Sequence, residues 1–187
     1  ADVVMGMGDD AAVLRRPGGD FQVISTDHLR AMIADPYLMA RIAAVHALGD
    51  VWSMGAKPQV ATASLILPQM TERLQARAMS EVMAAQQDVL AEAGAQRVGV
   101  HTTMGAEWTI GLTVTGLRKT APLTVAHAQA GDRLILTRPL GSGVLLAADM
   151  AGQAKGADLS VALDRMAQLQ SVEAQALGPV AHAMTDV

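Results

Sequence analysis

No cysteine occurs in the 187 residues. Disulfides, cysteine-ligated zinc and a thiol nucleophile are thereby excluded within this stretch. Aromatic residues are almost missing too, at 2%, while apolar residues make up 51%. The core must therefore be built from Ala, Val, Leu, Ile and Met. Positive charge is also scarce: 14 Lys and Arg stand against 18 Asp and Glu, for a net charge of −4. With no basic cluster to neutralise a run of phosphates, nucleic-acid binding is not expected. No apolar run approaches the roughly 20 residues of a membrane helix. The first residues lack the basic and apolar regions of a secretory signal. A soluble, cytoplasmic protein is the expectation, with one substantial core or one domain plus part of another. The start without Met, and the stop at Thr185-Asp186-Val187 just after a helix-like apolar segment, suggest a piece of a longer chain.

What is present, in unusual settings, is acid. Gly8-Asp9-Asp10-Ala11-Ala12, Ser25-Thr26-Asp27-His28, His46-Ala47-Leu48-Gly49-Asp50 and Thr185-Asp186 set carboxylates in turns or beside small residues. Three of them border the apolar runs Ala11 to Leu14, Phe21 to Ile24 and Ile42 to Leu48. A carboxylate there is costly unless something pairs with it. Oxygen ligands converging from several segments suit hard divalent cations, which let carboxylates sit beside a polyphosphate. The spacing suggests a magnesium-nucleotide site. Taken singly, each is open to a plainer reading: an Asp-rich turn opening a strand, a strand end, or a helix carboxylate bonded at a packing interface.

The order of elements predicts an α+β fold. Ala11 to Arg16 and Phe21 to Asp27 read as strands joined by Pro17-Gly18-Gly19. Asp35-Pro36 reads as N-cap and first turn of a helix running to about Gly55. Val60 to Leu67 is β-rich and closed by Pro68. Thr71 then caps a second helix, with Leu74, Ala78, Val82, Ala85 and Val89 on one face, stopped by Gly94. Arg97 to His101 and Thr109 to Leu117 read as strands. A first domain, 1–118, is expected, followed by a linker from Lys119 to Gly131 and the beginning of a second domain up to 187. In that part Asp132 to Arg138 reads as a strand, Val144 to Met150 as the start of a helix, and Ser160 to Leu177 as another.

Further candidates carry less information. His46 and Asp50 lie four apart, hence on one helical face; zinc is a weak reading with one carboxylate and no second His at ligand spacing. The stretch Val98 to Glu107 reads as a strand-loop-strand connection bearing His101, Thr102, Thr103 and Glu107. Such a loop serves phosphate or metal binding, or is simply a polar hairpin. Pro139-Leu140-Gly141-Ser142-Gly143 lacks the Gly-Lys-Ser/Thr of a P-loop and the third glycine of a dinucleotide fingerprint.

Together these segments resemble the selenide, water dikinase (selenophosphate synthetase) family, in the superfamily that includes aminoimidazole ribonucleotide synthetase. The residues that carry the resemblance are Gly8 to Val13, Ser25 to Leu29, Asp35 to Tyr37 and Arg41 to Pro58. It continues through Gly111 to Gly116, Gly131 to Gly143 and Ala183 to Val187, in order over nearly the whole chain. His46, with His101-Thr102-Thr103 and Gly105-Ala106-Glu107, looks most like the branch fused behind a flavin-dependent oxidoreductase. The resemblance implies selenophosphate synthesis from ATP, selenide and water, with release of AMP and phosphate. It implies several Mg²⁺ ions held by Asp10, Asp27, Asp50 and Asp186, with a monovalent cation as a further ion. It also implies an ATP site drawing on Asp9, Asp10, Thr26, Asp27, Asp50, His101, Thr102, Thr103 and Glu107, and a homodimer pairing the first domains through their sheets.

Four departures stand against the family pattern. The glycine-rich leader with Cys or selenocysteine and a catalytic Lys would lie upstream, so catalytic residues are not assigned and the fragment alone is expected to be inactive. Gly99-Val100-His101 stands where the family has Gly-Gly-His, and Thr102 where it usually has Ser. Asp186 lacks its Gly-rich continuation. Alternatives are another superfamily phosphotransferase, of the thiamine-phosphate kinase or hydrogenase-maturation type, and a catalytically silent dimerisation or regulatory module. Val100 keeps the last alive, and retention of all four aspartates speaks against it.

Overall fold

The structure is a computed structural model that describes residues 2–187. Its elements are β1 (Asp2–Met5), β2 (Ala12–Arg15), β3 (Phe21–Arg30), α1 (Pro36–Ser53), β4 (Lys57–Pro68), α2 (Glu72–Glu92), β5 (Gln96–Gly105) and β6 (Thr109–Arg118). A short 3₁₀ turn, Val125–His127, then precedes α3 (Ser142–Met150), α4 (Gly156–Met166) and α5 (Ser171–Leu177). The strands form one mixed sheet in the order β1-β2-β3-β6-β4-β5. All neighbours are antiparallel except β4 and β5, which α2 connects in parallel.

Helix α1 starts where its signals place it, with the Asp35 carboxylate accepting from Leu38 N at 2.9 Å. Between Met39 and Ser53 every residue except Arg41 and His46 is buried. A helix apolar on nearly all sides needs cover on all sides. The sheet lies on one side, α2 on another, and α4 and α5 reach a third. Arg41 fastens two of these contacts, meeting Glu92 of α2 through both carboxylate oxygens and donating to Ala167 O at 2.9 Å. Gly116 lets α1 approach the sheet: a Cβ there would stand 2.4 Å from Val51 Cγ1 and 3.1 Å from Lys57 O. Val23, Leu48, Val51, Leu65, Leu112 and Val114 fill the layer between. On α2 the expected face holds at Ala78, Val82, Ala85 and Val89, while Leu74 is half-exposed.

Alternation along the strands sends the other row to the opposite sheet face. Thr26, His28 and Arg30 of β3, Thr62 and Ser64 of β4, and His101 and Thr103 of β5 are exposed there. Among the described residues no element covers that face.

Four expectations need correction. Strand β5 does not give way to a loop after His101, because its parallel pairing with β4 continues from Ser64↔His101 to Pro68↔Gly105. Asp132 to Arg138 is not a strand: it has no sheet partner among the described residues, and Leu134, Ile135 and Leu136 are exposed. Ser160 to Leu177 is two helices, not one. Their break is held by the Arg138 guanidinium, which donates to the carbonyls of Arg165, Gln168 and Leu169. Finally, β1 pairs with β2 where no strand was anticipated.

Candidate functional site

Two elements and two irregular segments bring the acidic side chains together. Along β3 the row Phe21, Val23, Ser25, Asp27 faces α1, with Phe21 and Val23 buried. Directly above, the last turns of α1 present His46 and Asp50, four apart as the helical period requires. Ser25 Oγ donates to Asp50 Oδ2. His46 Nε2 lies 3.7 Å from Asp27 Oδ2. The segment after α5 delivers Asp186 to the same place. Its Oδ2 packs against Gly49, where an added Cβ would stand only 2.7 Å away. Asp10, just before β2, completes the group: its Oδ1 accepts from Thr185 Oγ1 at 2.9 Å, while its Oδ2 is buried with no hydrogen-bond partner.

The electrostatics follow from this crowding. Asp50 is 8% exposed and sits at the carbonyl end of α1, a poor place for an anion. Burial pushes its carboxyl up to about 7; the Ser25 hydrogen bond opposes the shift and the charges of Asp27 and Asp186 add to it. Asp186 is raised as well, first by burial and then by Asp10, with His46 pulling the other way. Carboxylates that make one another hard to ionise are stabilised by a cation placed between them. The unpartnered Asp10 oxygen gives the same indication from geometry, so these residues fit a divalent-cation site. Among the described residues no three His, Asp or Glu side chains already form a coordinating cluster. Ser25, His46 and Thr185 hold the carboxylates individually.

The remaining expected site residues lie elsewhere in this chain. Asp9 points away from the cluster: its Oδ2 accepts from Val125 N and its Oδ1 from Asp10 N, both at 3.0 Å. Thr26 is on the outer sheet face, bonded to Thr113 Oγ1 at 2.9 Å. His101 and Thr103 share that outer face. Thr102 lies on the α2 side of β5, which is separated from β3 by β6 and β4, a span of about 14 Å at ordinary strand spacing. Glu107, in the turn after β5, is paired with Arg30 at 2.5 Å. Within one chain these groups do not meet the four carboxylates. A cavity of about 480 Å³, lined by Trp52, Lys57, Arg118 and Gln175 among others, includes none of the four either.

Two functional contacts escaped the sequence reading: Ser25 on Asp50 and Thr185 on Asp10. Strand alternation was the available signal for Ser25, since it falls on the same face as Asp27. Nothing local marks Thr185, whose partner is 175 residues away.

Comparison with known proteins defines the class. Residues 8–118 match the family described as AIR synthase related protein, N-terminal domain, and the chain belongs to that family. Within it the similarity is to proteins named selenide, water dikinase. That of Aeromonas salmonicida is 38% identical over 184 residues, 96% of this chain and 52% of the relative. That of Nitratidesulfovibrio vulgaris is 40% identical over 141 residues, 75% of this chain and 40% of the relative. The chain thus spans about half the length, or less, of these curated relatives. The fold is shared with AaThiL solved complexed with AMPPCP and TMP, at TM-score 0.79 and 18% identity over 95% of this chain and 59% of that one. It is also shared with thiamine-monophosphate kinase from Stenotrophomonas maltophilia K279a, at TM-score 0.74 and 22% identity over 97% and 61%.

Proposed function

We propose that the chain supplies the magnesium-nucleotide site of a selenide, water dikinase, which makes selenophosphate from ATP, selenide and water. The observation that carries this reading is the convergence of Asp10, Asp27, Asp50 and Asp186, with Asp10 Oδ2 buried and unpartnered. The identity of 38% to named dikinases over 96% of the chain directs the site to that reaction. Magnesium, when bound, neutralises the polyphosphate and the charge that moves as each phosphoanhydride bond breaks.

The protein's own part is positional. Asp10, Asp27, Asp50 and Asp186 are the ion ligands in this reading. Ser25 orients Asp50, His46 lies against Asp27 and opposes the upward shift of Asp186, and Thr185 orients Asp10. Thr26, His101 and Thr103 keep their assignment to nucleotide binding through a homodimer, in which a second copy presents its own outer sheet face; Asp9, Thr102 and Glu107 keep theirs on the sequence resemblance alone. Residues 119–187 are assigned to a linker and the beginning of a second domain, because the family match ends at 118. An upstream flavin oxidoreductase and a monovalent ion belong to the same reading and rest on the sequence resemblance, and a cytoplasmic location rests on composition alone.

Calorimetric titration of ATP with and without Mg²⁺ tests the proposal. Clustered carboxylates repel a bare polyphosphate at short range, so binding is expected only with the metal. Equal affinity in EDTA overturns it.

A further inference from the structure

The segment that carries Asp186 is held in an unusual way. After Ala181, whose N–H closes the last backbone contact to Leu177 O, no residue up to Val187 makes a backbone–backbone hydrogen bond among the described residues. Nothing regular fixes where this segment lies. Only side chains do so. Thr185 reaches Asp10, as described, and four residues before Asp186 the His182 Nδ1 meets Asp132 Oδ1 at 2.8 Å. Asp132 is itself fixed, because its Oδ2 accepts from Gln129 N at 2.8 Å and closes a turn at the end of the stretch that follows β6. That stretch is pinned in turn by Asp9, through Val125 N. The contacts run in a ring from Asp9 through Val125, Gln129, Asp132, His182 and Thr185 back to Asp10. Among the described residues no hydrogen bond or ion pair joins Asp132 or His182 to Asp10, Asp27, Asp50 or Asp186.

We infer that His182, held by Asp132, is a positioning residue that sets Asp186 against the carboxylates of Asp10, Asp27 and Asp50. The inference rests on the metal-site reading above and adds to it the device that completes the ligand set. An irregular segment with free torsions loses entropy when its carboxylate docks beside other carboxylates. A second anchor reduces that loss before any cation arrives. Asp132 accepts both a backbone amide and the imidazole, an arrangement of the kind that orients ligand-bearing segments from outside the coordination sphere. The carboxyl of Asp132 is held below its ordinary range, first by the Gln129 amide and then by His182, in keeping with a group that stays ionised as an acceptor. The pair is partly exposed, at 50% and 32% of the two side chains, so its effect is moderate.

The chain lacks cysteine, so Val187→Cys, at a residue 95% exposed, gives a single thiol for a nitroxide beside Asp186. His182→Ala in this background is expected to make the label more mobile in metal-free protein. It should also raise the Mg²⁺ concentration at half-saturation of ATP binding about fivefold, the upper range for a partly exposed ion pair. His182→Asn restores both, since its amide nitrogen falls near the position of Nδ1. Asp132→Ala reproduces His182→Ala, and the double variant is no worse than either. A label equally mobile in His182→Ala and its parent, or a variant that changes only the melting temperature, overturns the inference. If the parent shows no metal-dependent ATP binding, the functional proposal fails by itself, and label mobility still decides whether His182 docks the segment.

Discussion

Asp50 concentrates the chemistry of this site in one side chain. It is buried at a helix C-terminus, beside two other carboxylates, with one hydroxyl for company. If it is an ion ligand, Asp50→Asn removes metal-dependent nucleotide binding and leaves the fold intact. Wild-type protein at a hundredfold excess of Mg-ATP over Kd gains about 2.7 kcal/mol, a rise of roughly 5–10 °C in Tm for a chain of this size. The variant should show none of that rise in thermal melts; a full rise refutes the ligand role. The pH dependence has a definite sign. A carboxyl raised from 3.8 to about 7 on folding holds its proton more tightly in the native state. Its contribution is complete below pH 3.8 and is lost as pH rises through 7. Melts of metal-free protein should therefore show Tm falling between about pH 4 and pH 7, with a flatter profile in Asp50→Asn. Residue identity singled out Asp10, Asp27 and Asp50 in the sequence, because an acid bordering an apolar run invites a question; Asp186 was singled out as a ligand through the family resemblance. Residue identity did not separate the roles of Asp9 and Asp10, since neighbours in a turn point in different directions and only the fold decides which faces inward.

At the scale of elements, α1 and the Asp186 segment meet at Gly49. Within a helix, Gly→Ala removes backbone freedom and normally stabilises by roughly 0.5–1 kcal/mol. Here the new methyl would stand 2.7 Å from Asp186 Oδ2, the mobile end of a side chain, so the carboxylate yields rather than the helix. Gly49→Ala is expected to keep or raise the Tm of the metal-free protein while weakening Mg²⁺ in ATP titrations several-fold. Loss of Tm together with unchanged metal affinity would refute that reading. Local signals served the elements of the first 118 residues well: Asp35-Pro36, Pro68, Gly94 and the alternation of β3 and β6 each fall where the structure uses them. They failed where partners decide. Strand β5 extends because β4 is there to pair with it. Asp132 to Arg138 has strand composition but no sheet to join, and one helix became two where Arg138 captures three carbonyls.

At the scale of the molecule, the described residues cover the sheet on one side only. The bare face carries threonines, histidines and Arg30 rather than a large apolar patch, so a partner there forms a polar, hydrated interface. A homodimer is the expected state, and light scattering at micromolar concentration should give twice the chain mass; a monomer mass counts against it. The strand order has another consequence. Strand β6 lies between β3 and β4, yet it is the last of the six to be synthesised. Until Thr109–Arg118 leaves the ribosome, no sheet hydrogen bond can join β1-β2-β3 to β4-β5. Thr26 must then find Thr113 across 87 residues. Closure over such separations is slow, and the exposed edges of β3 and β4 are open to wrong pairing in the interval. Birth order thus makes the central strand the keystone: the sheet cannot be continuous until its middle arrives.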